Sequence, residues 1–387
     1  MHLSGLIFWL LLALCLSAVW FYLFSIYAAL DLFSRPCKVA PDFHPPISIL
    51  KPIRGLDESA YENLASFCRQ DYPTFQIIFG VMDDEDPALT VVEQIIRDFP
   101  LADISVVSSS NTIGANLKVS NLANMESRAK YPLLLISDSD IRVGRDYLIR
   151  VVQPLRDPEN GVVTCMYRSR LLGWAASIEA LGISTEFHAG VMAARKLEGM
   201  YFALGSTILI RHEALKAIGG FPSIADFLAD DFLLGYLPAH AGYKVVLSDY
   251  VVEHVLGTET FHDLFKHQTR WSRSTRISRP WGYIGLVFTH GTVSSLLLLL
   301  ASRGSAAGWI VLAVTWSVRL ATGWLIGGRL LKDPVARKLL WLVPIRDIIS
   351  FALWVYSFIG NTIEWRGQRF KLTRAGKLVP LNTNADD

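Results

Sequence analysis

The stretch Tyr131-Pro132-Leu133-Leu134-Leu135-Ile136-Ser137-Asp138-Ser139-Asp140 decides the fold. Tyr131 to Ile136 is nearly all apolar and lacks the polar alternation of a strand with one wet face. It reads as a strand covered on both sides, as in a parallel sheet. Two carboxylates follow it directly. In an open α/β sheet, ligands bind beyond the carboxyl ends of the strands. Asp138 and Asp140 are therefore candidate oxygen ligands for Mg²⁺ or Mn²⁺. Alone, an Asp-x-Asp fits a solvated acidic turn equally well; the apolar strand before it points to a site.

Outward from this stretch the pattern repeats. Residues Ile47 to Leu50, Phe75 to Val81 and Ile104 to Val107 read as further strands, and Glu62 to Arg69, Ala88 to Phe99 and Leu117 to Arg128 as helices. Such alternation from Pro45 to Tyr250 predicts an α/β domain with a mainly parallel sheet. The flanks differ. Gly5 to Leu30 carries no charge and is long enough to span a bilayer. Its start has no Lys or Arg and bulky residues crowd its far end, so an uncleaved anchor is expected rather than a cleaved signal. Arg35, Lys38, Lys51 and Arg54 follow, which puts the α/β domain in the cytoplasm by the positive-inside rule. Trp281 to Ala301, Trp309 to Ile326 and Leu339 to Ile359 are also long enough to span. Four full crossings starting outside would leave the basic tail, Arg366 to Lys377, outside as well. One segment is thus expected to be interfacial or re-entrant. The third is the first choice, because Arg346 and Asp347 are costly in lipid unless paired.

Composition agrees with a mixed protein. Of 387 residues, 51% are hydrophobic, and the mean hydropathy is +0.33, too apolar for an ordinary soluble chain and too polar for spans alone. A net charge of +2 predicts no nucleic-acid partner. Cys15, Cys37, Cys68 and Cys165 have no metal-ligand spacing, so neither a disulfide framework nor a zinc site is expected, and a reducing compartment fits.

Three more clusters carry chemistry. Asp83-Asp84-Glu85-Asp86 ends the second strand, before Pro87. It reads as base and ribose recognition, with Asp86 the position chosen, or as a plain helix start. Asp230-Asp231 sits in an apolar helical stretch, where acids need a reason. Asp231 is the candidate general base for an attacking hydroxyl, against a helix-start acid favoured by the dipole. His267-Gln268-Thr269-Arg270-Trp271, followed by Arg273, Arg276 and Arg279, reads as a diphosphate clamp with a stacking aromatic or as an interfacial belt; composition alone favours the belt.

Order and spacing add what single motifs cannot. An acidic cluster after a strand, then Asp-x-Asp, then Asp-Asp, then Arg-Trp before membrane spans resembles the family 2 glycosyltransferases, and more closely the ceramide glucosyltransferase family. The matching stretches are Leu50 to Gly55, Asp71-Tyr72-Pro73, Asp83 to Pro87, Ile136 to Val143, Asp230-Asp231, Arg270-Trp271 and Trp365 to Phe370. Glu62 to Leu64, Gln76 to Val81, Gly114 to Leu122 and Asp138 to Gly144 are similar to the hopanoid-associated bacteriohopanetetrol branch. The resemblance implies a GT-A-type (Rossmann-like) domain, with 1–30 an N-terminal transmembrane anchor, 31–280 the cytoplasmic catalytic domain and 281–387 C-terminal membrane helices and tail. It implies a multi-pass protein of a bacterial inner membrane. The implied reaction transfers one sugar, N-acetylglucosamine or glucose, from a UDP-sugar to a lipid hydroxyl with inversion. In the implied site, Lys51, Pro52, Asp83, Asp86, Lys118, Asp138 and Gly205 hold the donor. Asp138 and Asp140 bind Mg²⁺ or Mn²⁺, Asp231 is the base, Arg270 and Trp271 serve leaving group and sugar, and His267 joins the catalytic set with no role assigned. The family motif opens with Gln or Arg where this chain has His267, which reads as a mark of the hopanoid subgroup. Ceramide glucosylation, a processive polysaccharide synthase and a non-catalytic nucleotide-sugar sensor are the rival readings.

Overall fold

The computed structural model describes residues 3–171, 174–257 and 260–381. The chain divides into two compact units. One comprises Pro36–Leu172, Gly199–Gly257 and Phe370–Asp387; the other comprises Met1–Arg35, Gly173–Glu198 and Thr258–Arg369.

The first unit is built on an eight-stranded sheet. Its strands are β1 (Ile47–Pro52), β2 (Phe75–Val81), β3 (Ile104–Ser108), β4 (Leu133–Ile136), β5 (Ile141–Arg142), β6 (Asn160–Leu171), β7 (Ile208–Arg211) and β8 (Lys244–Leu256), in the order β3-β2-β1-β4-β7-β6-β8-β5. The first four run parallel, with Ile49 opposite both Ile77 and Leu135. β7 pairs antiparallel with β4 and β6, while β8 runs parallel to β6. All of β1 and β4 is buried, as the unbroken apolar run of β4 requires; β1 buries Ser48 and Lys51 as well. Helices Ala60–Cys68, Ala88–Asp98 and Leu117–Glu126 lie within a few residues of the expected bounds. Leu122 and Met125 of the last pack with Leu50, Ile78 and Leu134 in the core. Parallel strands must all present their carboxyl ends at one edge, so the loops after β1, β2 and β4 gather there.

The second unit is helical. Among the described residues three helices are long and apolar enough to cross a membrane: Gly5–Phe33, Ala306–Leu330 and Leu340–Ser357. A fourth crossing exists if Pro280–Thr289 and Gly291–Ala301, bent by 50°, act as one span. Arg346 and Asp347 are both paired. Asp347 Oδ1 accepts from Arg319 Nη2 at 2.7 Å, and Asp347 also takes the Thr292 hydroxyl. The Trp174–Glu198 stretch is helical throughout but widens to a single π-type turn at Ile183–Phe187. Its Arg195 and Lys196 reach Asp31 at 3.4 and 3.0 Å.

Candidate active site

The site begins where β4 ends. Asp138 follows the buried Ser137, and its backbone oxygen accepts from Lys51 Nζ at the end of β1. Lys51 is fully buried, with its ammonium 4.0 Å from the Phe67 ring centroid; the adjoining Pro52 is also buried. The Asp138 carboxylate is held from another side, by Lys118 Nζ at 2.7 Å. Lys118 projects from the first turn of Leu117–Glu126, a helix started by Asn116, whose side chain accepts from the Val119 N–H. Lys118 also reaches Asp230 at 3.3 Å, and Asn116 Nδ2 donates to Asp230 Oδ1. One helix start thus ties the Asp-x-Asp turn to the Asp-Asp pair.

Asp231 begins the Asp230–His240 helix. That helix is seated by Gly235: a Cβ there would lie 2.3 Å from the backbone of Phe202 and Ala203, so only glycine allows the approach. The tight turn after Ala203 carries Gly205. A Cβ on Gly205 would fall 3.1 Å from Asp138 Oδ2 and 3.4 Å from Asp231 Oδ2. The Asp138 and Asp231 carboxylates therefore flank one patch of bare backbone. The segment before the helix is clipped by the hairpin Phe370–Leu372 and Leu378–Pro380: the Leu378 N–H donates to Asp226 O at 2.7 Å, and Leu228 N–H to Gly376 O.

Asp86, at the end of β2, spends its carboxylate on backbone. Both oxygens accept from the Gly55 N–H at 2.9–3.0 Å, and Oδ1 also accepts from the Ala88 N–H. It starts its helix and anchors the loop after β1. That loop carries Asp57, which accepts from the Ser139 hydroxyl. Asp83 is exposed and accepts from the Glu85 N–H. Asp140 faces β8, where His254 Nε2 lies 3.1 Å from Oδ2; its Oδ1 is buried without a hydrogen-bond partner among the described residues.

The electrostatics follow from burial and charge. Burial, helped by Asp230 and opposed by Lys118, pushes the Asp231 carboxyl up to about 6. Burial pulls the Lys51 ammonium down to about 7 against the attraction of Asp140, Asp138 and Asp57. For Lys118 the same desolvation is overcome by Asp138 and Asp230, which hold it charged. Asp140 lies below the usual carboxylate range because His254, Lys51 and Lys118 outweigh its desolvation.

Residues 10–378 match the family model of Glycosyl transferase family 21. The chain belongs to that family. Ceramide glucosyltransferase 1 of Caenorhabditis elegans is 26% identical over 354 residues, 88% of this chain and 75% of that protein. The ceramide glucosyltransferase of Gibberella zeae is 22% identical over 442 residues, covering 84% and 83%. Among solved structures, the mannosyltransferase PcManGT from Pyrobaculum calidifontis, in complex with GDP-Man and Mn²⁺, superposes with a TM-score of 0.58 at 19% identity, over 92% of this chain and 99% of that one. The fold is GT-A-like, and the protein is a glycosyltransferase of the hexosyltransferase kind.

In this family 21 enzyme the acids flank Gly205, yet among the described residues no three His, Cys, Asp or Glu side chains converge as a metal cage. The unpartnered Asp140 Oδ1 and the Asp138 carboxylate are the oxygens available to a cation. Mg²⁺-type ions commonly take one or two protein carboxylates and complete their shell with substrate phosphates, so the residues present fit that mode. His267, Arg270 and Trp271 belong to the helical unit, on Phe261–Ser278. His267 Nδ1 lies 2.9 Å from Glu179, Trp271 tilts on His267 at 4.5 Å between ring centroids, and the Arg270 guanidinium lies 5.7 Å over the Trp365 ring. Sequence reading passed over Asp57, Glu179 and His254. No local signal marks them, since each meets its partner across more than 80 residues of chain.

Proposed function

We propose that this glycosyltransferase moves one sugar from a UDP-sugar, N-acetylglucosamine or glucose, to a hydroxyl of a membrane lipid, with a hopanoid polyol as the acceptor. The observation that carries the reading is the approach of Asp138 and Asp231 to the bare backbone of Gly205, which brings a diphosphate-side acid and a base to one patch with no side chain between them and the backbone. The acceptor oxygen attacks the anomeric carbon as the bond from that carbon to the diphosphate oxygen breaks. Asp231 takes the hydroxyl proton, and UDP leaves with the electron pair of the broken bond, inverting the anomeric configuration. Asp231, lifted to about 6 by burial, is ionised at neutral pH yet more basic than an ordinary carboxylate. A divalent cation, Mg²⁺ or Mn²⁺, held by Asp138 and Asp140 would offset charge on the departing diphosphate.

Lys118 and Lys51 hold Asp138 in place, Asp86 fixes the loop after β1, and Arg270 and Trp271 serve the leaving group and the sugar. The protein is a multi-pass protein of a bacterial inner membrane, with its sheet unit on the cytoplasmic face; the three apolar helices and the basic residues after the first support this. The named relatives favour a second reading, ceramide glucosylation, whereas the motif stretches from Glu62 to Gly144 favour the hopanoid. Expression in a host that makes neither lipid, feeding each acceptor with each UDP-sugar, and mass spectrometry of the lipid extract separates them. A single hexosamine on the hopanoid is expected. A hexosyl ceramide, a polymer, or no product would each overturn that acceptor and sugar.

A further inference from the structure

The turn that carries Gly205 has little grip of its own. β7 pairs antiparallel with β4, Ile208 opposite Ile136, so the chain entering β7 starts beside the loop that leaves β4. That pairing brings residues 204–207 next to Asp138. Within the turn, one backbone bond runs from the Thr207 N–H to the Leu204 carbonyl at 3.2 Å. The rest of the hold comes from neighbours. Thr164 of β6, opposite Ile208, is fully buried. Its Oγ1 accepts from the Leu204 N–H at 2.8 Å and donates to the Thr207 carbonyl at 2.8 Å, so one hydroxyl ties both ends of the turn. Ser206 Oγ donates to the Cys165 carbonyl at 2.9 Å. Thr207 Oγ1 shares a bond of 2.9 Å with the hydroxyl of Tyr147, itself fully buried. Leu204, Ser206 and Thr207 are thus sunk into the fold, and Gly205 is left half-buried between them.

Thr164 is the polar exception in Val162-Val163-Thr164-Cys165-Met166, all five of which are buried. A hydroxyl there costs free energy unless it is bonded, and valine would fill the same volume. Every bond it makes among the described residues goes to the turn. We infer that Thr164 is a positioning residue for the donor sugar. It does not reach the sugar. It sets how far the Gly205 backbone stands from Asp138 and Asp231, whose Oδ2 atoms lie 3.1 and 3.4 Å from where a Cβ on Gly205 would sit. Without the hydroxyl, the pins at Ser206 and Thr207 remain, both after Gly205, and the turn comes loose before it, at Leu204. A misplacement of about 1 Å can cost about 10²-fold in rate, and the clearance around Gly205 leaves no slack of that size. The inference rests on the reading above, in which the sugar lies against Gly205, and it concerns the sheet unit alone.

The test uses the full chain in detergent micelles with UDP-N-acetylglucosamine, UDP-glucose and UDP alone. Thr164→Val removes the hydroxyl and keeps the volume, whereas Thr164→Ser keeps the hydroxyl. Thr164→Val is expected to lower kcat/KM for the UDP-sugar about 10²-fold and to weaken binding of the UDP-sugar in calorimetry. The Kd for UDP and the KM for lipid should not move. Thr164→Ser is expected to recover most of the loss, which a need for bulk alone would not give. If Thr164→Val fails to fold, Tyr147→Phe unpins Thr207 while keeping the ring, and should show the same split on a smaller scale. UDP and UDP-sugar weakened alike, or no rescue by serine, overturns the inference, as does an unaltered kcat/KM in whichever variant folds. A wild-type chain that transfers sugar to no lipid sinks the acceptor reading, and the role of Thr164 is then decided by the calorimetry alone.

Discussion

Asp231 is asked to be both desolvated and basic, and those demands set its titration. Folding lifts the carboxyl from 3.8 to about 6, so a fall in pH through 6 removes the base while favouring the folded state, which binds the proton more tightly. Transfer rate is therefore expected to rise with pH and level off above about 6, while thermal stability between about 4 and 6 trends the other way. Asp231→Asn should lower kcat by about 10²–10⁴-fold with the protein still folded and its pH limb gone; a mutant that keeps the limb removes Asp231 from the role of base. Lys118 works on the same group from a distance. Its charge lowers the Asp231 pKa, so Lys118→Met should move the acid limb upward. The same change strips the partner from Asp138 and Asp230; Asp138 is partly open to water, so the cost falls below the roughly 3–5 kcal/mol of breaking a fully buried pair, readable as a lower midpoint in chemical unfolding.

At the level of elements, the base helix depends on one missing side chain. Gly235→Ala puts a methyl 2.3 Å from the Phe202–Ala203 backbone, and overpacking of that sort costs about 1–3 kcal/mol. Activity should fall further than stability, because the helix that retreats carries Asp231 away from Gly205. Gly190→Ala, whose Cβ meets nothing within 4 Å, should leave both unchanged. The parallel half of the sheet was legible because its short β-rich strands alternate with helical stretches, and acids follow β2 and β4. Its other half was not. β6 and β8 carry Arg168, Arg170 and Glu253, joined by ion pairs, so their apolar signal is diluted. The Asp140–His254 contact exists only because β5 pairs with β8, where Ile141 faces His254. Asp86 shows the opposite limit: the helix-start reading and the site reading both described real geometry, since one carboxylate holds Ala88 and Gly55 together.

Across the whole molecule, the helical unit carries its own buried charge. Arg319 and Asp347 are 3% and 6% exposed, and their pairing answers the objection that charges in the third segment are costly in lipid. Arg319→Leu should destabilise the protein by about 3–5 kcal/mol and the double change Arg319→Leu with Asp347→Leu by much less, measured as detergent-solubilised melting; equal losses would mean the two do not act as a pair. The division of the chain has another consequence. The hairpin ending at Pro380 clips the segment that leads into Asp230 and Asp231, so the base helix waits for residues made long after it. A chain that stops after the Val343–Ser357 helix has its eight-stranded sheet and acids all translated, but lacks the clasp that seats them. Premature stop codons anywhere before that hairpin should thus leave an inert product.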